Sequence, residues 1–373
     1  MIGLKFIKSF FIIFINAKKN YLFPTYKDIV IYQKVNSEIF ERYFYPDDLV
    51  VLDRNFSLNI PVLLLSFISC ICHKSWTPYY RLFIKLTRAK CVLTFMHNDP
   101  DFYQLKESDD KVFISIQNGI ILGKQTWLKE DRIYKSDYFL CFGTSTQHEF
   151  KNIIDTKFKS IGSFKNNIYS KNKIEEKENC ITFISQYKLN RSIKEFFTIE
   201  KKILPYLNNY CKENKFIFKI CGSNLNFAKE EKEFYQEIIK DDFIFLPKKN
   251  VDTSYKYLES SEINVAIDST LGLESLASGH KTAIFMVRGK KLNLNNWYFG
   301  KHINNISENG PFWCIEDKFS EYDRILNYLK NIDIEKWQKY HSELISKIIG
   351  FDKDNSIFKD ILLKNNVPHK NIR

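Results

Sequence analysis

The residues best suited to chemistry stand together between Ile263 and Phe285, in the stretch I-N-V-A-I-D-S-T-L-G-L-E-S-L-A-S-G-H-K-T-A-I-F. Asp268, Ser269 and Thr270 follow a short apolar run, Ile263 to Ile267, that reads as a buried parallel strand. Leu271, Leu273, Leu276 and Ala277 then recur with helical spacing, and Gly279 is a helix stop. Thr282 to Phe285 opens a second apolar run. The pattern is strand, polar turn, short helix, strand. In an open α/β sheet, ligands sit at the carboxyl ends of strands. A helix N-terminus there offers free N–H groups and a positive dipole end to a phosphate. The two adjacent hydroxyls add donors for such an anion. Glu274 lies one turn into the helix, where a carboxylate could accept hydrogen bonds from a ribose diol. The same residues also spell an ordinary N-cap followed by an acidic first turn, so spacing alone leaves both readings open.

The chain around this stretch has 373 residues, which fits two domains of ordinary size, and its 44% of hydrophobic residues supply their cores. The formal charge of +12 suits nucleic acid, an anionic membrane surface or anionic small molecules. No long Lys/Arg tract and no nucleic-acid module is present. A nucleic-acid partner is therefore set aside in favour of a membrane surface and nucleotide substrates. The eight cysteines are scattered, with no CxxC pair and no zinc spacing; buried, reduced thiols in a cytoplasmic protein are expected. Phe6 to Ile15 and Pro61 to Cys72 are apolar, but both fall short of the ~20 residues that span a bilayer. The first mimics a signal peptide, with Lys5 and Lys8 ahead of its apolar core, but its cleavage site after Ala17 is poor. The expectation is a helix packed on its own domain, with an amphipathic helix lying against a membrane as the alternative.

The elements that must position Asp268 to Glu274 form a repeated strand-then-helix alternation, which indicates parallel sheets. In the first half, strands are expected at Asp28 to Gln33, Leu49 to Asp53, Lys90 to Phe95, Lys111 to Ile116 and Tyr138 to Phe142. Lys165 to Asn179 is dense in Lys, Asn and Glu without apolar periodicity and reads as a linker. The alternation restarts at Cys180 to Ser185, Lys215 to Cys221 and Phe243 to Leu246, and then reaches the stretch above. The fold class is α/β, with two Rossmann-like domains whose parallel sheets face a central cleft. The first domain covers residues 1–170 and the second 178–345. Residues 346–373 form a polar tail with a short apolar helix near Ile357 to Leu363.

Several pieces carry a resemblance. I-T-F-I-S-Q-Y (Ile181 to Tyr187), I-F-K-I-C-G-S (Ile217 to Ser223), F-I-F-L-P (Phe243 to Pro247) and the D-S-T-L-G-x-E-x-L-x-x-G core resemble the donor domain of a two-Rossmann-domain (GT-B) glycosyltransferase. With L-T-F-M-H-N-D-P-D-F-Y (Leu93 to Tyr103) and V-F-I-S-I-Q-N-G (Val112 to Gly119), the chain is similar to bacterial surface-carbohydrate biosynthesis proteins, which build lipopolysaccharide O-chains and capsules. The resemblance implies that Asp268, Ser269 and Thr270 cradle the donor phosphate. It places Glu274 on the ribose or donor sugar, and Ser185, Gln186 and Tyr187 on the same donor. Lys248, after a strand end, would add positive charge, unless it is simply solvated. Asp99 is the expected general base and His97 the next candidate, with Asp101 beside them; Asp99-Pro100 is also a common turn start.

Relatives often end the next strand in His-Gly. Here Gln117-Asn118-Gly119 stands there, so Asn118 would position the acceptor, or Gly119 would permit close backbone approach. No metal cluster and no resident cofactor are expected. The donor is a nucleotide sugar, with a CMP-linked acidic sugar plausible and UDP or GDP sugars open. The acceptor is a glycan or glycolipid, and the protein is expected to be cytoplasmic, with peripheral contact to the anionic inner membrane. The alternatives are a CDP-glycerol or CDP-ribitol polyol phosphotransferase, against which Asn118 speaks, and a non-catalytic protein with a degenerate fold.

Overall fold

A computed structural model describes residues 2–106, 110–120, 134–170, 177–189, 194–292, 299–300, 303 and 306–370. Its strands are β1 (Lys18–Asn20), β2 (Ile29–Tyr32), β3 (Leu49–Leu52), β4 (Ser57–Asn59), β5 (Cys91–Thr94), β6 (Val112–Ile116), β7 (Tyr134–Cys141), β8 (Ile154–Ser160), β9 (Glu178–Ile184), β10 (Ile217–Cys221), β11 (Ile244–Leu246), β12 (Ser261–Ala266), β13 (Thr282–Phe285) and β14 (Trp313–Cys314). β2, β5 and β13 are buried at every residue, because helices cover both faces of a parallel sheet and leave no polar side. Two six-stranded sheets result, ordered β3-β2-β5-β6-β7-β8 and β11-β10-β9-β12-β13-β14. Every pairing in both is parallel. The strand order reverses at β2/β5 in the first and at β9/β12 in the second, which opens a crevice at the carboxyl ends of each.

Alternation along the first sheet splits its core. Val30, Tyr32 and Val92 pack on one face with Trp76, Tyr79 and Tyr80, whereas Ile29, Ile31, Cys91 and Leu93 pack on the other. The second face is closed by Phe358, Ile361 and Leu362 of the helix Ser356–Lys364. Residues 346–373, set apart above as a tail, thus return from the second domain to build the core of the first. The cause is the helical spacing of three apolar residues among polar ones.

The return crossing is pinned where Gly162 pairs with Phe351 and Gly350 N–H donates to Phe142 O at 2.8 Å. Gly162 sits at φ 77, and a β-carbon there would run into the Gly350 carbonyl. The polar stretch from Lys165 is built into this crossing rather than solvated. Asn166 and Asn167 are buried in the helix Asn166–Tyr169, and Asn167 Nδ2 donates to Ile161 O at 2.8 Å and Asn355 Oδ1 at 2.7 Å. Residues 171–176 of that stretch lie outside the described residues.

The helix Ile2–Asn16 packs Phe10 flat on Trp76, with ring centroids 4.9 Å apart, while its opposite face stays exposed. Among the described residues no helix is long and apolar enough to cross a membrane.

Candidate active site

The second-domain site grows from the end of β12. Ile267 and Asp268 carry the chain out of the sheet, and Ser269, in extended backbone, caps the helix Thr270–Ala277 by accepting Leu271 N–H at 3.3 Å. Gly272 lets this helix lie directly on Ala266 of β12, where a β-carbon would collide. The helix N-terminus opens on a cavity of about 220 Å³ at the switch point. The ends of four strands line it: Ser185 after β9, Gly222 and Ser223 after β10, Lys248 after β11, and Ser269 with Thr270 after β12. Lys165 from the crossing and Glu274 complete the wall.

Hydrogen-bond accounting separates the hydroxyls. Thr270 Oγ1 accepts Ile120 N–H at 3.0 Å, and Ser269 Oγ accepts Leu271 N–H, so each keeps its own O–H to donate. Ser185 and Ser223 instead spend theirs on the buried Glu231 carboxylate, with Tyr235 OH 2.7 Å from Ser185. Lys165 and Lys248 make no ion pair among the described residues. Burial lowers the Lys248 pKa, and the charge of Lys165 lowers it further. Two cations, two free hydroxyl protons and a helix N-terminus therefore converge on one space, an arrangement chemically suited to an anion.

Glu274 lines the same cavity but is only 3% exposed. It accepts from Ser163 Oγ, on the crossing, and from Tyr255 OH at 3.0 Å. Asp268 and Gln186 do not line the cavity. Both receive the Arg288 guanidinium, which is fully buried and also pairs with Glu200 at 2.8 Å. Burial pushes the Glu200 carboxyl up, with Arg288 opposing. Tyr187 turns into the core, its ring 5.3 Å from Phe234. Lys165 and Arg288 were missed by the sequence reading. Lys165 sat in a polar stretch without periodicity. Arg288 follows the end of β13, and that strand-end position was its one signal.

The first-domain residues gather at the ends of β2, β5 and β6. Asp99 caps the short helix Pro100–Tyr103 by accepting Asp101 N–H at 2.9 Å, and its other oxygen accepts Tyr32 OH at 2.9 Å and Gln33 Nε2. Tyr32 and Gln33, at the end of β2, carried no motif. Asp101 lies 3.9 Å from Arg54, and burial and Asp99 raise its pKa. His97 is buried: its Nδ1 faces Asn118 N–H at 3.3 Å, it bonds the Phe95 backbone, and burial lowers its pKa to about 4. The ring is therefore neutral and ties the end of β5 to that of β6. Asn118 is held by Asn36 at 2.7 Å. Gln117 shapes the same turn, accepting Phe142 N–H at 2.7 Å and donating to Gly119 O at 3.0 Å. That turn delivers Ile120 N–H to Thr270, so the strand ends of the two domains meet over the helix N-terminus.

Two Rossmann-like domains with parallel sheets, their switch points joined across one cleft, define a GT-B-type protein. Solved structures share this fold: the wall teichoic acid polymerase TagF aligns over 92% of this chain and 90% of its own, with TM-score 0.51 and 10% identity. The S. aureus MnaA–UDP structure aligns over 92% and 98%, with TM-score 0.46 and 11% identity. S. aureus TarM, in complex with UDP and other ligands, aligns over 78% and 59%, with TM-score 0.45 and 13% identity. At such identities the likeness is one of fold alone. A search of curated proteins by sequence finds no match. The chain belongs to the family described as "putative O-antigen biosynthesis protein", which matches residues 114–366, and is thus a surface-carbohydrate protein of GT-B type.

Proposed function

We propose that the protein is a glycosyltransferase that moves a sugar from a nucleotide-linked donor to a hydroxyl of a lipid-linked or core oligosaccharide in surface polysaccharide synthesis. The observation that carries this reading is the cavity at the β9/β12 switch point, where Lys165 and Lys248, neither in an ion pair among the described residues, meet two free hydroxyl protons and a helix N-terminus, with Glu274 also on the wall. The donor phosphate binds there. The acceptor oxygen attacks the anomeric carbon, the bond from that carbon to the phosphate oxygen breaks, and its electron pair stays on the phosphate. Thr270, Ser269 and the lysines stabilise that growing charge, so no metal ion is needed. Asp99 takes the acceptor proton. Its Oδ1 keeps a lone pair after accepting Asp101 N–H, and Tyr32 and Gln33 fix its orientation. His97, buried and neutral, accepts Asn118 N–H at Nδ1 and so positions Asn118 and the turn beside it.

The test is calorimetry with CMP, UDP and GDP without added metal, followed by mass spectrometry of the product formed from the donor that binds. Binding of one nucleotide and a gain of one sugar mass are expected. Absence of any nucleotide binding would sink the proposal, and a gain of a polyol phosphate would reassign the site to a CDP-polyol donor.

A further inference from the structure

We propose that one edge of the first domain is a docking face for a bilayer carrying anionic lipid. The face is made by the helix Ile2–Asn16, the loop at residues 21–26 and the helix Ile60–His73. Each helix buries one side: Phe10 stacks on Trp76, and Val62, Leu63 and Cys70 enter the core. The opposite sides stay in solvent, with Phe11, Ile15, Leu22, Leu64, Leu65 and Ile68 each between 59% and 77% exposed. These residues belong to neighbouring elements. Phe10 and Phe67 meet edge-on at 5.5 Å, β1 pairs with β4, and Asn59 Nδ2 donates to Leu22 O at 2.7 Å. Side chains of this size in one surface patch mark an interaction site rather than scattered exposure.

The charge pattern names the occupant. Residues 1–27 and 60–74, which contain the elements of this face and their flanks, hold six Lys and no Asp or Glu. Lys8 on the first helix, Lys18 in β1 just after it and Lys74 capping the helix Ile60–His73 are exposed beside the apolar residues. A second copy of the chain fits poorly. A twofold contact would set this patch against itself and bring lysines together with no acid to meet them. An anionic bilayer answers both features at once: apolar side chains enter the acyl boundary and lysines sit at the headgroups. This inference does not depend on the donor site, because docking needs neither nucleotide nor transfer.

The experiment is flotation of the full chain with vesicles of phosphatidylcholine alone or with phosphatidylglycerol added. Partition onto the anionic vesicles, weakened by salt, is expected. The triple variant Ile15→Gln, Leu64→Gln, Ile68→Gln should lose about 100-fold in partition while keeping its thermal midpoint, since these side chains are outside the core. A Lys18→Gln, Lys19→Gln, Lys74→Gln variant should lose the preference for phosphatidylglycerol. The proposal is overturned if the wild type ignores anionic vesicles, or if the triple variant floats as the wild type does. It is equally overturned if sedimentation shows a dimer that the triple variant dissociates while vesicles stay unbound.

Discussion

Replacing Lys248 by Met should move stability and donor affinity in opposite directions. In the free protein the ammonium is half-buried, and burial and Lys165 both lower its pKa from the ordinary 10.5. The sign follows from linkage: a lysine lowered on folding is worth more neutral than charged, so its protonated form opposes folding at neutral pH, and the opposition fades as pH rises from the lowered folded value towards 10.5 and is gone above it. Met keeps the packed stem and removes the charge, so the urea midpoint should stay level or rise. Donor binding should do the reverse. A charge-assisted contact to phosphate is worth about 1.5–3 kcal/mol, or roughly 10- to 150-fold in Kd. Lys165→Met should act in the same sense, and the double variant should fall short of additivity because the two cations share one anion. The assays are equilibrium urea unfolding and calorimetry with the best-binding nucleotide. If Lys248→Met lowers the unfolding free energy by about 1 kcal/mol or more and leaves Kd unchanged, the lysine is a structural one and the anion-site argument is wrong.

Four further outcomes are expected. Asp99→Asn should keep the cap and, once Gln33 turns its amide, cost only ~1 kcal/mol of stability, while kcat falls about 10²- to 10⁴-fold; an unchanged kcat in steady-state assays removes Asp99 as the base. Glu274→Ala should cost about 2–4 kcal/mol in urea unfolding by stranding the Ser163 and Tyr255 hydroxyls, so its activity is interpretable only beside Ser163→Ala/Tyr255→Phe, which leaves the carboxylate in place. Arg288→Met should cost about 3–5 kcal/mol by leaving Glu200 and Asp268 unpaired, with no rescue by Lys, as read by midpoint or by loss of soluble protein. His97 and His280 are held neutral by burial, at about 4 and about 3 against an ordinary 6.5, so the unfolded chain binds the extra protons. Their stability is complete above pH 6.5 and is lost as pH falls towards 4, by up to about 3 kcal/mol for His97; Glu200, raised by burial, slopes the other way, so the check is the wild-type minus His97→Gln difference across that range.

Much of the fold was legible because its signals are local. Short, continuous, β-branched and aromatic-rich apolar runs such as Ile29–Tyr32 and Thr282–Phe285 read as strands buried on both faces, and polar residues directly after them mark the sheet's carboxyl edge. For the same reason Ser269, Thr270, Ser185 and Lys248 were found from sequence and do line one cavity. What sequence could not show was the direction of a side chain at such an edge. Gln186 and Tyr187 follow Ser185 on one strand end, yet one turns to Arg288 and the other to Phe234. Non-local partners were equally hidden. Lys165 reaches the cavity only because the crossing folds back, and that crossing is held by Asn167 and Asn355, 188 residues apart. A polar stretch with no periodicity carries no sign that its polar groups will satisfy one another in the interior.

The hydrogen-bond roles at the helix N-terminus also decide how cleft closure relates to donor binding. Thr270 meets the first domain as an acceptor, through Ile120 N–H, and would meet a phosphate as a donor, through its own proton. The two contacts use different parts of one hydroxyl, so closure and donor binding add rather than compete. Valine at position 270 would remove both, whereas serine would keep both. Glu274 divides its work in the same way. Ser163 and Tyr255 occupy part of its acceptor capacity, Ser163 tying the crossing to the helix Thr270–Ala277, and the remaining lone pairs stand at the cavity wall. The arrangement predicts that nucleotide will bind more tightly to the closed form than to the open one. The N–H accepted at Thr270 leaves that hydroxyl's proton for a phosphate that would bind in the cavity, and a bond chain of this kind would strengthen each of its members.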